Sequence, residues 1–254
     1  MEWKEVIKPW TDAVEQWERR ITTKYIFPGD EQAIGRYNQD IKGNQDYELQ
    51  LNLPPHPFAG NPYAPIWVIN LNPGYNEEAD KEDFENPDGD GWKWSIAQLK
   101  GEISCNYYLR LPDLGSKKKG ACNWWKKYLV SQNICNGNIE IADKFFSLDY
   151  FPYHSKKYKD PGKNFESTKL FKKIINWGIE REVLFLFMRN KKKFVSMFKD
   201  EIEQKKIKIM YALSQASWIS YGNLCTPEQY CRTERDKEKN IKENKPFIES
   251  FLNR

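Results

Sequence analysis

The chain has 254 residues, with 40 basic and 36 acidic side chains and a formal net charge of +4. This length suits one large domain or two small ones, and so slight a basic excess permits nucleic-acid binding without requiring it. No stretch approaches the roughly 18 consecutive apolar residues of a membrane span. The first residues, Met1 to Glu5, also lack the apolar core of a secretion signal. We therefore expect a cytoplasmic protein without a membrane partner.

The residue types that most often bind metals are sparse. The five cysteines form an odd set without a C-x-x-C pair, and the chain has only two histidines. Reduced, buried thiols are the simplest account of the cysteines. The acidic run at residues 76–84 lacks the alternating aspartates and closing glutamate of a calcium loop. We expect no metal and no cofactor.

Four short apolar runs, each followed by polar or basic residues, alternate with helical patterns. The predicted strands are Ile66–Leu71, the run 144–152, Val183–Met188 and Lys208–Leu213. Strands that alternate with helices in this way favour a parallel sheet with helices on both faces. The sequence therefore predicts an α/β fold, a three-layer αβα arrangement with a central, mostly parallel four-stranded sheet. The helix after the second strand is predicted to open at Ser167 or Thr168 and to end at Gly178.

The flanking regions extend this core into one domain over residues 1–254. Residues 1–50 are predicted to be a helical N-terminal extension, with an apolar stripe of Trp10, Val14, Trp17 and Ile21 and a cap at Thr11. Residues 226–254 are predicted to be a C-terminal helical segment. It begins at Thr226-Pro227, where Gln229 has the spacing of a capping box.

Polar residues lie near the end of each predicted strand or directly after it. They are Asn72, Asp149, Arg189 and the loop at residues 214–223. In open α/β sheets, ligands bind outside the carboxyl ends of the strands. We therefore expect these residues to share one cleft.

Three segments resemble motifs of the uracil-DNA glycosylase superfamily, across roughly residues 60–225. Leu71-Asn72-Pro73-Gly74 resembles the Asn-Pro-Gly motif that ends the first strand in the mismatch-specific and single-strand-selective monofunctional branches. The segment 149–153, Asp-Tyr-Phe-Pro-Tyr, resembles the Asn-Tyr-Cys-Pro-Leu segment of the single-strand-selective branch. The segment 215–220, Gln-Ala-Ser-Trp-Ile-Ser, resembles the late loop written Asn-Pro-Ser-Gly-Leu-Ser in the mismatch-specific branch.

The resemblance implies a glycosylase-like fold and hydrolysis of the N-glycosidic bond of a flipped, altered base in DNA, without a metal. It assigns catalytic positions to Asn72, which would hold the attacking water, and to Gln215. The substrate-binding positions are Leu71, Pro73, Gly74, Tyr75, Phe84, Asp149, Tyr150 and Ser217. The residues expected to contact the DNA phosphates are Lys156, Lys157 and Arg189. The implied partner is DNA, with single strands included, and the implied state is a monomer.

Two departures from the family pattern leave alternatives open. Gln215 stands where other branches have a catalytic histidine, and Asp149 stands where the single-strand-selective branch has the asparagine that reads the base. An ionised carboxylate only accepts hydrogen bonds, so it suits an amino-bearing base edge. One alternative is a non-catalytic nucleic-acid or nucleotide-binding protein of the same fold. Another is an unrelated α/β enzyme that uses Asp149 and His154 as an acid-base pair on a small molecule.

Overall fold

A computed structural model describes residues 1–20, 22–103, 134–135, 138–162, 164–204, 206–213, 219–230 and 237–254. The strands are β1 (Phe58–Ala59), β2 (Ile66–Asn70), β3 (Phe145–Asp149), β4 (Leu184–Phe187), β5 (Lys208–Ala212) and β6 (Leu224–Cys225). The helices in these ranges are α1 (Trp3–Val6), α2 (Lys8–Arg20), α3 (Glu31–Ile41), α4 (Glu77–Phe84), α5 (Asp90–Leu99), α6 (Ile139–Ala142), α7 (Glu166–Glu180), α8 (Lys191–Met197), α9 (Lys199–Glu203), α10 (Pro227–Tyr230) and α11 (Lys237–Leu252).

The sheet has six strands in the order β1-β3-β2-β4-β5-β6. The four inner strands are parallel, and β1 and β6 pair antiparallel with β3 and β5 at the two edges. The fold is therefore α/β with a mixed sheet, and the expectation of only four strands was wrong. Each edge strand has two residues, too few for an alternating pattern to be visible in the sequence.

Apolar side chains alternate between the two faces of the inner strands. Trp67 lies beside Phe146 and Phe185 in the register, and all three belong to a core shared with α1, α2, α3 and α7. The opposite face carries Val68 and Leu186, which pack in a second core with residues of α5 and α11. Burial on both faces explains why these strands are apolar runs without polar alternation.

The N-terminal extension packs on the first face. The Trp3 ring lies 5.0 Å from Phe58 and 5.6 Å from Phe146. The predicted stripe is confirmed for Trp10, Val14 and Trp17, which are buried, whereas Ile21 lies outside the described residues.

Two predicted helix starts were wrong. Thr11 lies within α2, where its Oγ1 donates to the Leu99 carbonyl, because α2 begins at Lys8. Helix α7 begins at Glu166 rather than at Ser167 or Thr168. In contrast, the capping box at α10 is confirmed: Thr226 N donates to Gln229 Oε1 (2.8 Å) and Gln229 N donates to Thr226 Oγ1 (3.3 Å). No helix in the described ranges has both the length and the apolar character needed to cross a bilayer.

Gly178 does not end its helix. Helix α7 continues to Glu180, and Gly178 faces the sheet, where an added Cβ would lie 2.9 Å from Phe185 Cζ and 3.0 Å from Trp67 Cζ3. The missing side chain lets two large rings approach the helix backbone. Close packing therefore explains this glycine better than a helix stop does.

We expect Gly178→Ala to lower the free energy of unfolding by about 1–3 kcal/mol, because the methyl group overpacks two buried rings. Alanine's better helix propensity, worth about 1 kcal/mol, offsets only part of this cost. Gly35→Ala in α3 is the matched control, since its Cβ would meet nothing within 4 Å, and it should stabilise the protein. Urea unfolding of both variants measures the difference. Equal effects at the two positions would contradict the packing argument.

Candidate functional site

The segments that follow β2 and β3 run side by side beyond the sheet. Asn70 pairs in register with Asp149, and the Tyr150 and Phe151 amides donate to the Asn70 and Leu71 carbonyls at 3.1 and 2.8 Å. Farther on, Gly74 and Ser155 form an isolated parallel bridge. The two segments that resemble glycosylase motifs therefore extend the β2–β3 pair as neighbouring loops.

The Asn72 side chain is fixed between these two loops. Its Nδ2 donates to the Pro73 carbonyl and to Ser155 Oγ, both at 2.9 Å. Ser155 Oγ in turn donates to the Lys157 carbonyl at 2.9 Å. Asn72 Oδ1 has no partner among the described residues, and it is not sealed from solvent. A fixed amide with one open acceptor suits a group that holds a water molecule.

Asp149 ends β3 beside Asn70. Its carboxyl has no hydrogen-bond partner in the part of the chain that the structure describes, and the residue is partly exposed. The surrounding protein nevertheless excludes most water from the carboxyl, and this desolvation raises the pKa of Asp149 well above its usual range. The carboxylic acid form can donate as well as accept. Burial thus disfavours the ionised form of Asp149. The predicted preference for an amino-bearing base edge depends on that ionised form.

The two histidines lie together beneath these loops. The His56 and His154 ring centroids are 4.6 Å apart, and both residues are buried. His154 Nδ1 lies 2.9 Å from the Gly74 carbonyl, so it carries the proton. Ser95 Oγ donates to the Gly91 carbonyl at 2.7 Å, so it accepts from His56 Nε2. Burial lowers the pKa of both rings, for His154 to about 4, and both are therefore neutral at pH 7.

This burial predicts a specific acid sensitivity. In the unfolded chain His154 binds a proton near pH 6.5, whereas in the folded protein it does so only near pH 4. Its contribution to stability is therefore complete above pH 6.5 and is lost as the pH falls toward 4, about 2 kcal/mol of it between pH 7 and pH 5. We therefore expect the wild type to be more stable than His154→Gln at pH 7, and this difference in unfolding free energy to shrink by about 2 kcal/mol at pH 5.

Urea unfolding at several pH values measures that difference. The comparison with the variant is needed because the carboxyls of Asp30, Asp80 and Asp149 have raised pKa values, which change stability in the opposite direction over this range. The exposed neighbour variant Lys156→Gln serves as a control. A constant gap between wild type and His154→Gln across this range would contradict the neutral, buried ring.

Asp149 and His154 do not form a hydrogen bond. The His154 ring bonds to the Gly74 carbonyl through Nδ1, and among the described residues no bond joins it to Asp149. The arrangement gives no support to an acid-base pair at these positions.

The three aromatic positions differ in their surroundings. Tyr75 is half-buried, and its hydroxyl donates to Glu85 at 3.4 Å. Phe84 is buried, with its ring centroid 5.2 Å from that of His56. Tyr150 is buried in the core of the opposite sheet face, where Lys193 Nζ lies 4.1 Å from its ring centroid. Tyr75 is the most accessible of these rings, and the substrate-binding role of each stays a prediction.

The three predicted phosphate contacts are all exposed. Lys157 Nζ lies 2.6 Å from a carboxylate oxygen of Asp46, so a phosphate would compete with this ion pair. Lys156 is its neighbour, and Arg189 follows β4 at the same edge of the sheet. Gln215 and Ser217 lie outside the described residues. Over the residues that are described, no group of three His, Cys, Asp or Glu side chains is arranged to hold a metal ion.

Sequence reasoning missed two residues of this edge. Asn70 is a polar residue inside an apolar strand, and its Nδ2 donates to Ser147 Oγ at 3.1 Å. Ser155 is buried and bonds to Asn72 across 83 positions of sequence. Asn70 could have been found, because it is the polar residue at the end of an apolar run. Ser155 could not, because its partner Asn72 is 83 positions away and the sequence around Ser155 shows no pattern that indicates the contact.

Comparison of the chain with protein-family models, with curated proteins and with solved structures finds no match.

Proposed function

We propose that the chain is a divergent uracil-DNA glycosylase-like hydrolase that cleaves the N-glycosidic bond of a flipped, altered base in DNA. One observation carries the proposal. Asn72, in the loop after β2, and Asp149, at the end of β3, lie at the same edge of the sheet, and among the described residues neither Asn72 Oδ1 nor the Asp149 carboxyl has a hydrogen-bond partner. The Asn72 amide oxygen suits a water molecule, and the Asp149 carboxyl suits the edge of a base.

The reaction breaks the bond between the sugar C1′ and the base nitrogen, and the bonding electrons leave with the base. A water oxygen bonds to C1′, and the proton that the water loses neutralises the departing base. Asn72 Oδ1 would accept a hydrogen bond from this water and orient it toward C1′. Asp149, as a neutral acid, would donate to and accept from the base edge.

Release of free base tests this proposal. The full chain is incubated with single-stranded and duplex oligonucleotides that carry uracil, hypoxanthine or xanthine, and free base is measured by mass spectrometry. We expect release from at least one altered base and none from the unmodified oligonucleotide. No release from any of these substrates would overturn the hydrolase.

A second candidate is a non-catalytic nucleic-acid or nucleotide-binding protein of the same fold. The observation that favours it is that both histidines of the chain are buried and neutral, so neither lies open at the edge to transfer a proton. Titration with labelled single-stranded and duplex DNA at two salt concentrations tests it. Salt-dependent binding without base release would favour this candidate, and no binding at low salt would exclude both.

A further inference from the structure

The orientation of the Asn72 amide is determined by its neighbours. A serine hydroxyl has one hydrogen, and Ser155 uses it toward the Lys157 carbonyl. The oxygen of Ser155 can therefore only accept from Asn72, and the Pro73 carbonyl also only accepts. A flipped amide would place Oδ1 against two acceptors. The hydrogen-bond pattern thus allows one orientation of the amide, with both Nδ2 hydrogens engaged.

Ser155 is itself held in place. It is 1% exposed, and it bridges to Gly74 in parallel register. The neighbouring His154 ring is bound to the Gly74 carbonyl through Nδ1. The acceptor that meets Asn72 therefore belongs to a buried, well-packed segment, whereas Asn72 lies on a loop that reaches solvent.

We propose that Ser155 is a positioning residue for Asn72, which fixes the side-chain amide so that Oδ1 is the group presented to water and substrate. The effect of Ser155 on catalysis rests on the proposed function, whereas its effect on the orientation of the Asn72 amide does not. Without the Ser155 hydroxyl, the Pro73 carbonyl is the one acceptor left for Nδ2 in the described part of the chain, and the amide loses the bond that ties it to the buried segment after β3. The side chain can then rotate, so that Oδ1 occupies its water-binding position in only a fraction of the molecules.

The chain contains a matched control. Ser147 is also buried, and its Oγ accepts from the amide of a different asparagine, Asn70, at 3.1 Å. Ser155→Ala and Ser147→Ala therefore each remove one buried hydroxyl that accepts from an asparagine amide. Only the first should affect Asn72.

Nuclear magnetic resonance of the full chain tests the geometry without any substrate. The side-chain NH₂ signals of Asn72 are assigned by their loss in Asn72→Asp. We expect them to be protected from hydrogen exchange in the wild type and in Ser147→Ala, and to lose at least tenfold protection in Ser155→Ala. Ser155→Thr, which keeps the hydroxyl, should show the wild-type protection. If the alanine variant does not fold, Ser155→Cys, which has a similar size but only a weakly accepting sulfur, should show the loss of protection instead. Unchanged Asn72 signals in Ser155→Ala would overturn the proposal.

Kinetics test the consequence for catalysis. In an active enzyme, Ser155→Ala should lower kcat for base release by about 100-fold with KM nearly unchanged, because the misplaced group acts on the water rather than on binding. Ser155→Thr should recover most of kcat. A wild-type kcat in Ser155→Ala would overturn the positioning role. If the wild type releases no base, the proposed function fails, and the exchange measurement still decides the positioning of Asn72.

Discussion

Replacing Asn72 by alanine is expected to slow base release by about 1,000-fold. The reason is that Oδ1 of this residue is the open acceptor at the carboxyl edge, and loss of a group that directs proton transfer or water attack costs a factor of this order. The fold should persist, because the substitution removes two hydrogen bonds of a partly exposed side chain, worth about 1–2 kcal/mol in total. Single-turnover base release and urea unfolding measure the two effects separately.

Asn61→Ala is the matched control for this experiment. Asn61 also lies in a loop beside β2, but before the strand rather than after it, and its Oδ1 caps the Tyr63 amide at 3.0 Å. This variant should keep the wild-type rate. A wild-type rate in Asn72→Ala would show that the water is held by another group.

Replacing Asp149 by asparagine is expected to remove a pH dependence. Burial raises the pKa of the Asp149 carboxyl, so below that pKa the neutral acid offers a donor and an acceptor, and above it the carboxylate offers acceptors only. For a base with a carbonyl at its edge, the wild-type rate should fall as the pH rises through this pKa. Asparagine keeps its donor at every pH. We expect Asp149→Asn to exceed the wild type about 100-fold above the pKa, since an unpaired buried charge costs this much or more.

Stability gives an independent measure of the same group. A carboxyl whose pKa is raised by folding lowers the stability of the folded protein at every pH at which the unfolded chain would ionise it, so Asp149→Asn should increase the free energy of unfolding. The increase should be absent below the unfolded-state pKa of 3.8, should grow as the pH rises from there to the folded-state pKa, and should be constant above it. The exposed variant Asp200→Asn should show no such trend. Identical pH profiles for wild type and Asp149→Asn, in rate and in stability, would contradict a desolvated carboxyl at this position.

The inner strands of the fold could be predicted from the sequence because each is a short apolar run that ends in polar residues. The runs that begin at Ile66, Val183 and Lys208 became β2, β4 and β5, with no boundary shifted by more than one residue. The run 144–152 became β3, which ends three residues earlier than predicted. The edge strands could not be predicted, since β1 lies in a proline-rich segment and each edge strand has two residues. Gly178 misled because a glycine near the end of a helical pattern is typical of a C-cap, whereas its neighbours Trp67 and Phe185 come from distant strands.

The site was predicted in part for a similar reason. Asn72 follows β2 and Asp149 ends β3, and the parallel register of the two strands brings both to the same edge of the sheet. The local sequence does not encode what each side chain bonds to after folding. Three features depend on how distant segments pack: the bond from Asn72 to Ser155, the contact between His56 and His154, and the lack of a partner for Asp149 among the described residues.

On this proposal, the edge formed by Asn72 and Asp149 receives a nucleobase. The most direct test is to titrate the isotopically labelled full chain with an oligonucleotide that carries an altered base on a 2′-fluoro sugar. This sugar resists cleavage because fluorine disfavours cation character at C1′. We predict that the largest shifts occur in the Asn72 side-chain amide and in the backbone amides of Gly74 and Tyr150. Shifts confined to other surfaces, or none at a concentration of oligonucleotide that saturates binding, would contradict the claim.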